Sequence, residues 1–186
     1  MKRITFILMM AAAAALILAG CSEPANKVKI KTIDGVNIEK LQEKTGTYVG
    51  DNSSVYSIVQ QLAGGETVKG LDLSGERIKV TYGIKEGSEI SEEQLNEYWF
   101  NGQNVDKKNF YYNAIYLTLL VPNAKGFEFS IDETTVAVTR QQVEKELKEE
   151  FKNYPDVNDE EAVRKFIESN KSKLKELASE EYQAFQ

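Results

Sequence analysis

Apolar residues recur along the chain with two different periods, which predict helices and strands. Val55, Ile58 and Leu62 recur at the spacing of one helical face, and Gly64 and Gly65 follow them as a stop signal. We therefore expect an amphipathic helix that ends just before the two glycines.

Strict alternation of apolar and polar residues marks two pairs of strands. Residues 68–73 and 78–84 flank a short turn, and the second stretch alternates apolar residues with lysine, threonine and glycine. Residues 127–131 alternate in the same way, and residues 135–138 follow closely. Pairs of this kind with short turns predict two β-hairpins, each with one buried face.

Longer helical patterns lie between the hairpins and after them. Residues 107–121 suit a helix, although their second half also fits a buried strand; the length favours a helix that Pro122 ends. Thr139 and Gln142 have the spacing of a capping box, which predicts the start of another helix. A last, charged helix is expected to begin near Asn158.

This order of elements predicts an α+β fold. We expect a two-layer domain in which helices cover an antiparallel sheet of about four strands, with a charged helical extension at the C-terminus. The corresponding segments are residues 1–20 as a signal peptide, 21–36 as a tether, 37–155 as the α+β domain and 156–186 as the helical extension.

The N-terminus has the features of an export signal. Lys2 and Arg3 precede a nearly unbroken apolar run over residues 4–18, which is short for a membrane span. The following Leu18-Ala19-Gly20-Cys21 resembles the lipobox of bacterial lipoproteins, in which the cysteine is lipidated and becomes the mature N-terminus. We therefore expect the membrane as a partner through lipid on Cys21, and a location on the extracytoplasmic face of the cell membrane.

Composition excludes several kinds of site. The 186 residues include 23 Lys and Arg, 29 Asp and Glu, and no His, which gives a net charge of −6. An acidic chain without a basic stripe is not expected to bind nucleic acid. Without His, and with Cys21 as its single Cys, the chain cannot form a Ser-His-Asp triad, a Cys-His pair or an intramolecular disulfide. We expect no catalytic residues, metal or cofactor.

One motif, Y-V-G-D-N-S-S-V, precedes the first predicted helix and offers two interpretations. Its residues Tyr48, Gly50, Asp51, Asn52 and Ser53 could surround a ligand, because helix N-terminal N–H groups bind anions. The same polar side chains suit the start of a helix, where they accept hydrogen bonds from unpaired N–H groups, and the glycine can adopt positive φ. We favour the helix cap, since the acidic side chain would repel an anion.

Clustered aromatic residues form the candidate binding surface. They are Tyr98, Trp99, Phe100, Tyr111 and Tyr112, and an Asn-Gly-Gln-Asn segment lies between the two groups. Such rings could contact sugars, a peptide or a protein partner at the cell envelope. The alternative is that they pack in the core, with each hydroxyl reaching water or a backbone acceptor.

The Y-V-G-D-N-S-S-V motif, followed by Ile58 and Leu62, resembles the opening of a bacterial domain-of-unknown-function family, DUF4825. Residues 71–84 and 113–117 are also similar to that family, and the resemblance covers residues 41–131. It implies an extracytoplasmic protein, often a lipoprotein of Gram-positive bacteria, and sometimes a domain outside the membrane on a sensor metallopeptidase. It transfers no catalytic or binding residues.

Three functions remain open from the sequence. The first is a non-catalytic binding or sensing module, anchored by lipid and able to bind an envelope protein. The second is a carboxylate-dependent enzyme acting on cell-wall glycans, which needs two acids that converge across a pocket. The third is a structural lipoprotein that docks through its C-terminal helix.

Overall fold

The computed structural model describes residues 28–180, and within this range it contains six α-helices and four β-strands. The predicted signal peptide and Cys21 lie outside the described residues. The elements, in chain order, are α1 (Ile38–Gln42), α2 (Asn52–Gln61), β1 (Val68–Asp72), β2 (Arg77–Tyr82), α3 (Glu92–Phe100), α4 (Val105–Leu120), β3 (Gly126–Ile131), β4 (Thr134–Thr139), α5 (Arg140–Glu150) and α6 (Glu160–Glu180).

Two helices begin with capping boxes that the sequence encodes locally. Ser91 caps α3 and Thr139 caps α5, and in each box the side chain three residues later, Gln94 or Gln142, accepts a hydrogen bond from the N-cap N–H. The predicted helix over residues 107–121 is α4, so the alternative of a buried strand there is wrong.

The four strands form one mixed sheet in the order β1-β2-β3-β4. The outer pairs are antiparallel, which confirms both predicted hairpins and the α+β class. The central pair, β2 and β3, is parallel, with Ile78 opposite Phe127. The prediction of an antiparallel sheet is therefore wrong at its centre. The reason is that two helices, α3 and α4, connect these strands and return the chain in the same direction.

Helices cover one face of this sheet. Side chains between the buried positions, such as Thr81, Ser130 and Ala137, are half-buried or exposed. The buried side chains stand at alternate positions of the strands, as the alternating sequence predicts. They are Ile78, Val80, Tyr82, Phe127, Phe129, Ile131, Val136 and Val138.

Helix α4 is the centre of the core. Its residues from Asn109 to Leu120 are all buried, without the polar stripe of a surface helix. On the sheet side, the Phe110 ring stacks on Phe129 with centroids 5.3 Å apart and planes 10° apart. Helices α3, α5 and α6 also pack on α4, which explains why no side of this stretch reaches water.

The C-terminal helix α6 packs against the domain. It contacts α4 and α1 along its length. The apolar stripe that covers them is buried at both ends of the helix and consists of Val163, Phe166, Ile167, Leu174, Leu177 and Ala178. The segment predicted as an extension thus supplies part of the core.

The segment before α1 also packs against the domain. Ile30 is buried, and the Lys31 carbonyl accepts hydrogen bonds from the Gly64 N–H at 2.8 Å and the Tyr98 hydroxyl at 2.6 Å. The Lys31 ammonium and backbone N–H both bond to the Glu66 carboxylate at 2.8 Å. The described part of the predicted tether, from residue 28 onward, is therefore held in place.

Arg140 closes the far end of α4. Its guanidinium donates to the carbonyls of Thr118 at 2.7 Å and Val121 at 2.9 Å, and to the Glu144 carboxylate at 2.6 Å. Thr118 lies in the last turn of α4 and Val121 is its C-cap residue, so no helical N–H follows to bond their carbonyls. A charged side chain from α5 thus ties β4 and α5 to the central helix.

Gly64 allows a close contact between the backbone and Trp99 in the core. It has φ of +76°, and a Cβ at this position would lie 2.3 Å from the Trp99 ring. We predict that Gly64→Ala lowers the free energy of unfolding by about 2 to 4 kcal/mol. The left-handed backbone is unfavourable for alanine, and its methyl group would overlap the Trp99 ring. Chemical denaturation measures this change.

Gly50→Ala is the matched control for that variant. Nothing lies within 4 Å of a Cβ at Gly50, and its φ is outside the left-handed region. We expect its stability to change by less than about 1 kcal/mol. Equal losses in the two variants would contradict the steric argument.

Candidate binding site

Most of the predicted aromatic surface is buried. Trp99, Tyr111 and Tyr112 are at most 2% exposed, and only Phe100, at 44%, is freely accessible. Tyr98 is partly buried and packs edge-on against Trp99. The predicted five-residue surface is therefore corrected: the tyrosines of α4 and Trp99 belong to the core, because α4 is enclosed on all sides.

The buried polar atoms of this cluster have structural partners. The Trp99 indole N–H donates to Thr67 Oγ1 at 3.1 Å, and the Tyr111 hydroxyl donates to the Glu146 carboxylate. Burial raises the pKa of the Tyr112 hydroxyl above its ordinary value, so this group stays neutral. The Trp99 indole and the Tyr111 hydroxyl are thus held by contacts within the fold.

Asn113 is a buried polar residue that the sequence analysis did not single out. Its side chain accepts from the Ala63 N–H at 3.2 Å and donates to the Ala63 carbonyl and the Tyr82 hydroxyl, both at 3.0 Å. These bonds join the end of α2 and the end of β2 to the central helix. Its spacing from other residues gave no signal of this role, which depends on long-range packing.

The Y-V-G-D-N-S-S-V motif forms the entry to α2. Asp51 is the N-cap residue, and its carboxylate accepts from the Ser54 N–H at 3.0 Å. This hydrogen bond lowers the pKa of Asp51. Val49 is buried, and its N–H donates to Asn123 Oδ1 at 2.8 Å. Gly50 does not use the positive φ that glycine permits.

A shallow groove lies between this motif and the turn of the first hairpin. It encloses about 560 Å³, and Val49, Gly50 and Asn52 line it together with residues 71–76. Within that turn, Asp72 accepts from the Ser74 N–H at 2.8 Å and from the Lys79 ammonium at 3.0 Å. Asp72 and Ser74 are thus bonded to each other within the turn. We call this the motif groove.

A second groove runs beside α3 and contains the exposed Phe100. We call it the α3 groove; it encloses about 340 Å³. Its lining combines apolar and charged side chains from α3 with the ends of the central strands. The lining residues are Lys69, Tyr82, Gly83, Ile84, Glu92, Leu95, Asn96, Phe100, Ile131 and Asp132.

The position of the α3 groove follows from the sheet. Tyr82 and Ile131 are partners at the ends of the parallel strands β2 and β3, and both line the groove. A crevice at the carboxyl ends of parallel strands is a common place for ligands in open sheets. Asp132 follows with φ of +49°, a left-handed conformation unusual for a non-glycine residue. The sequence could not predict this site, because it depends on the parallel pairing.

The α3 groove offers contacts of two kinds. The Phe100 ring and the Leu95 side chain present apolar surface that remains accessible at the rim. The Glu92 and Asp132 carboxylates and the Lys69 ammonium provide charged groups around it. This arrangement suits a ligand with an apolar group flanked by polar or charged groups.

Residues 28–180 hold neither a metal-binding cluster nor a membrane-spanning helix. Within that part of the chain, no three His, Cys, Asp or Glu side chains gather in a way that could hold a metal ion. No helix among the same residues is both long enough and apolar enough to cross a membrane.

Comparison with known proteins identifies the family. The model of the family Domain of unknown function (DUF4825) matches residues 41–149, which is more than half of the 186 residues. The chain belongs to this family. The match runs from α1 through the sheet and into α5. No curated protein and no solved structure matches the chain.

Asp72 provides a test of the electrostatics in the motif groove. Hydrogen bonds from Ser74 and Lys79 lower its pKa from 3.8 to about 2. A carboxyl group with a lowered folded-state pKa stabilises the fold above its unfolded value and loses this contribution as the pH falls through its folded pKa. We predict that Asp72→Asn is less stable than the wild type at pH 5, and that the difference disappears between about pH 4 and 2.

Denaturant midpoints of both proteins at pH 5, 4, 3 and 2 measure this effect. A stability difference that stayed constant over this range would show that the Asp72 carboxylate makes no charge-dependent contribution.

Proposed function

We propose that this protein is a membrane-anchored extracytoplasmic lipoprotein whose domain binds a partner at the cell envelope and catalyses no reaction. The lipid on Cys21 would hold the protein at the membrane, and the α3 groove would contact the partner. Family membership supports this proposal only as far as a shared domain of unknown function.

The support for lipid anchoring comes from the order of features at the N-terminus. A positive pair, an apolar run, small residues and Cys21 follow one another as lipoprotein signals require. Two or more acyl chains on one cysteine suffice for stable anchoring, since each buried methylene contributes about 0.8 kcal/mol. The acidic domain would add little electrostatic attraction to anionic lipid.

The observation that carries the binding proposal is Phe100. Phe100 and Tyr48 are the exposed large hydrophobic residues of the described chain, and Phe100 lines the α3 groove, whereas Tyr48 lines neither the α3 groove nor the motif groove. An accessible ring in a concave site with neighbouring charges is a frequent anchor for a protein partner. A partner would insert an apolar side chain against Phe100 and Leu95 and place polar or cationic groups near Glu92 and Asp132.

The carboxylate enzyme is the second candidate. It is favoured by one observation, that Glu92 and Asp132 line the same groove. A general acid must keep its proton near neutral pH, which requires a raised pKa. Asp51, Asp72 and Asp156 instead have lowered pKa values, caused first by backbone N–H donors. These lowered pKa values give no support to acid catalysis by Asp51, Asp72 or Asp156.

Docking through the C-terminal helix is less favoured. The apolar stripe of α6 that a partner helix would need is already buried against α4 and α1. A partner could bind this stripe only after the helix had left the domain and exposed α4.

Lipidation at Cys21 is tested by metabolic labelling with an alkyne analogue of palmitate. We predict that the wild type and the control Ser22→Ala incorporate the label, and that Cys21→Ser loses all of it, because no other cysteine can form the thioether. Label retained in Cys21→Ser would contradict the anchoring proposal.

Binding at the α3 groove is tested with a photo-crosslinking residue, p-benzoylphenylalanine, placed at Phe100 or at Tyr48 in living cells. We predict a discrete adduct with an envelope protein from position 100 and none from position 48, although Tyr48 is the more exposed of the two. For the identified partner, Phe100→Ala should weaken binding at least about 30-fold, as expected for a central aromatic anchor. Tyr48→Ala should leave binding unchanged.

Equal adducts from both positions, or none from position 100, would count against this groove. Release of soluble fragments from isolated cell walls by the wild type but not by Glu92→Gln would favour the enzyme instead.

A further inference from the structure

Strand β4 forms an open edge of the sheet. The Thr139 N–H donates to the Gln142 side chain at 2.9 Å and therefore does not pair with β3. Paired and unpaired residues alternate along an antiparallel ladder, so Thr135 and Ala137 also direct their N–H and C=O groups away from β3. Ser130 Oγ and Thr135 Oγ1 are 3.0 Å apart, consistent with the close side chains of a pair without backbone bonds.

These outward groups face solvent. Thr135 and Ala137 are both exposed, and no residue of the described chain forms a hydrogen bond with their N–H or C=O groups across this edge. Two donors and two acceptors therefore stand in a row along β4. Such a row is a template for another extended strand.

β4 also lacks the features that usually protect a sheet edge. Thr134–Thr139 contains no charge, proline, glycine or bulge, and its pairing with β3 is regular throughout. The opposite edge differs, because β1 carries Lys69 and Asp72 and its register shifts between Val68 and Gly70. Charges and irregular register discourage pairing at that edge.

We propose that β4 pairs with β4 of a second copy of this chain. The two strands run antiparallel about a two-fold axis at Val136, so that Thr135 lies opposite Ala137 of the partner subunit, and the reverse. Each of these two pairs exchanges two backbone hydrogen bonds, and all four outward groups on each copy are used. The result is a continuous eight-stranded sheet across the dimer.

The local charges along β4 favour a second copy in this direction, although the net charge of each copy opposes association. Copies with a net charge of −6 repel each other over most of their surface, but the paired strands bring no charged side chain together. The acidic turn at Asp132 and Glu133 comes beside the N-terminus of α5 of the other copy, which begins at Arg140. Acidic groups are stabilised near a helix N-terminus.

The dimer is expected to be weak. Pairing of two edge strands buries less area than the roughly 1,200 to 2,000 Å² of stable protein interfaces. Association should therefore depend on protein concentration in the micromolar range or above, and a protein held in a membrane plane would meet its copies more often than one in solution.

Sedimentation of the full-length chain in mild detergent, from about 1 to 500 μM, tests the proposal. We predict that the wild type shifts from monomer to dimer, and that Ala137→Pro stays monomeric because it lacks the outward N–H. Ala137→Thr keeps this N–H and should dimerise like the wild type. Proline at position 137 removes no hydrogen bond between β3 and β4, because the Ala137 N–H points away from β3. Thermal unfolding checks that the variant folds.

The double variant Thr135→Lys with Ala137→Lys gives an independent test. Both side chains are exposed in the monomer, but the dimer would place like charges directly opposite each other. We expect a monomer of unchanged stability. A wild type that remains monomeric throughout, or a dimer that survives Ala137→Pro or the two lysines, would overturn the proposal.

Disulfide formation tests the register. In a Cys21→Ser background, Thr135→Cys and Ala137→Cys should cross-link when the two variants are mixed, since paired residues have Cα atoms about 5.5 Å apart. Neither variant should cross-link alone. Efficient cross-linking of Ala137→Cys alone would place the axis elsewhere and overturn the register centred on Val136.

Discussion

Enclosure of α4 from Asn109 to Leu120 is the constraint on which the rest of this structure depends. A helix without a polar face must be covered on every side, and the sheet, α3, α5 and α6 each cover part of it. Its ends and polar side chains need partners as well. Arg140 bonds the last carbonyls, and Asn113 bonds Ala63 and Tyr82, so the polar contacts position the same neighbours that the apolar contacts bury.

This constraint also explains why the folded unit is larger than the region that defines the family. The family match ends at residue 149, before α6 begins at Glu160. Yet α6 packs on α4. Burial raises the pKa of the Tyr116 hydroxyl of α4 to about 12, and the negative charge of Glu168 on α6 raises it as well. The segment before α1 likewise packs on the loop that follows α2. In this chain, a fragment cut at the limits of the match would expose part of the central helix.

The sequence predicted the features that depend on neighbouring residues. Alternation identified both hairpins, and the Thr139 and Gln142 pair identified the start of α5, because side-chain period and capping act within a few residues. The direction of β2 relative to β3 was missed, since these strands pair across a connection of more than forty residues and local patterns do not specify its path. The α3 groove was missed for the same reason, because it lies at the ends of these two parallel strands. Trp99 and Phe100 are adjacent and chemically alike, and only their positions on different sides of α3 make one ring core and the other surface.

The burial of Trp99 gives the protein a built-in optical probe. It is the single tryptophan of the chain, and it contacts the rings of Tyr82, Tyr98 and Phe110 as well as the backbone at Gly64. Its emission therefore reports on the junction of α3, α4, β2 and the loop after α2. Because the adjacent Phe100 lines the α3 groove, any ligand that displaces α3 would change this emission without an added label.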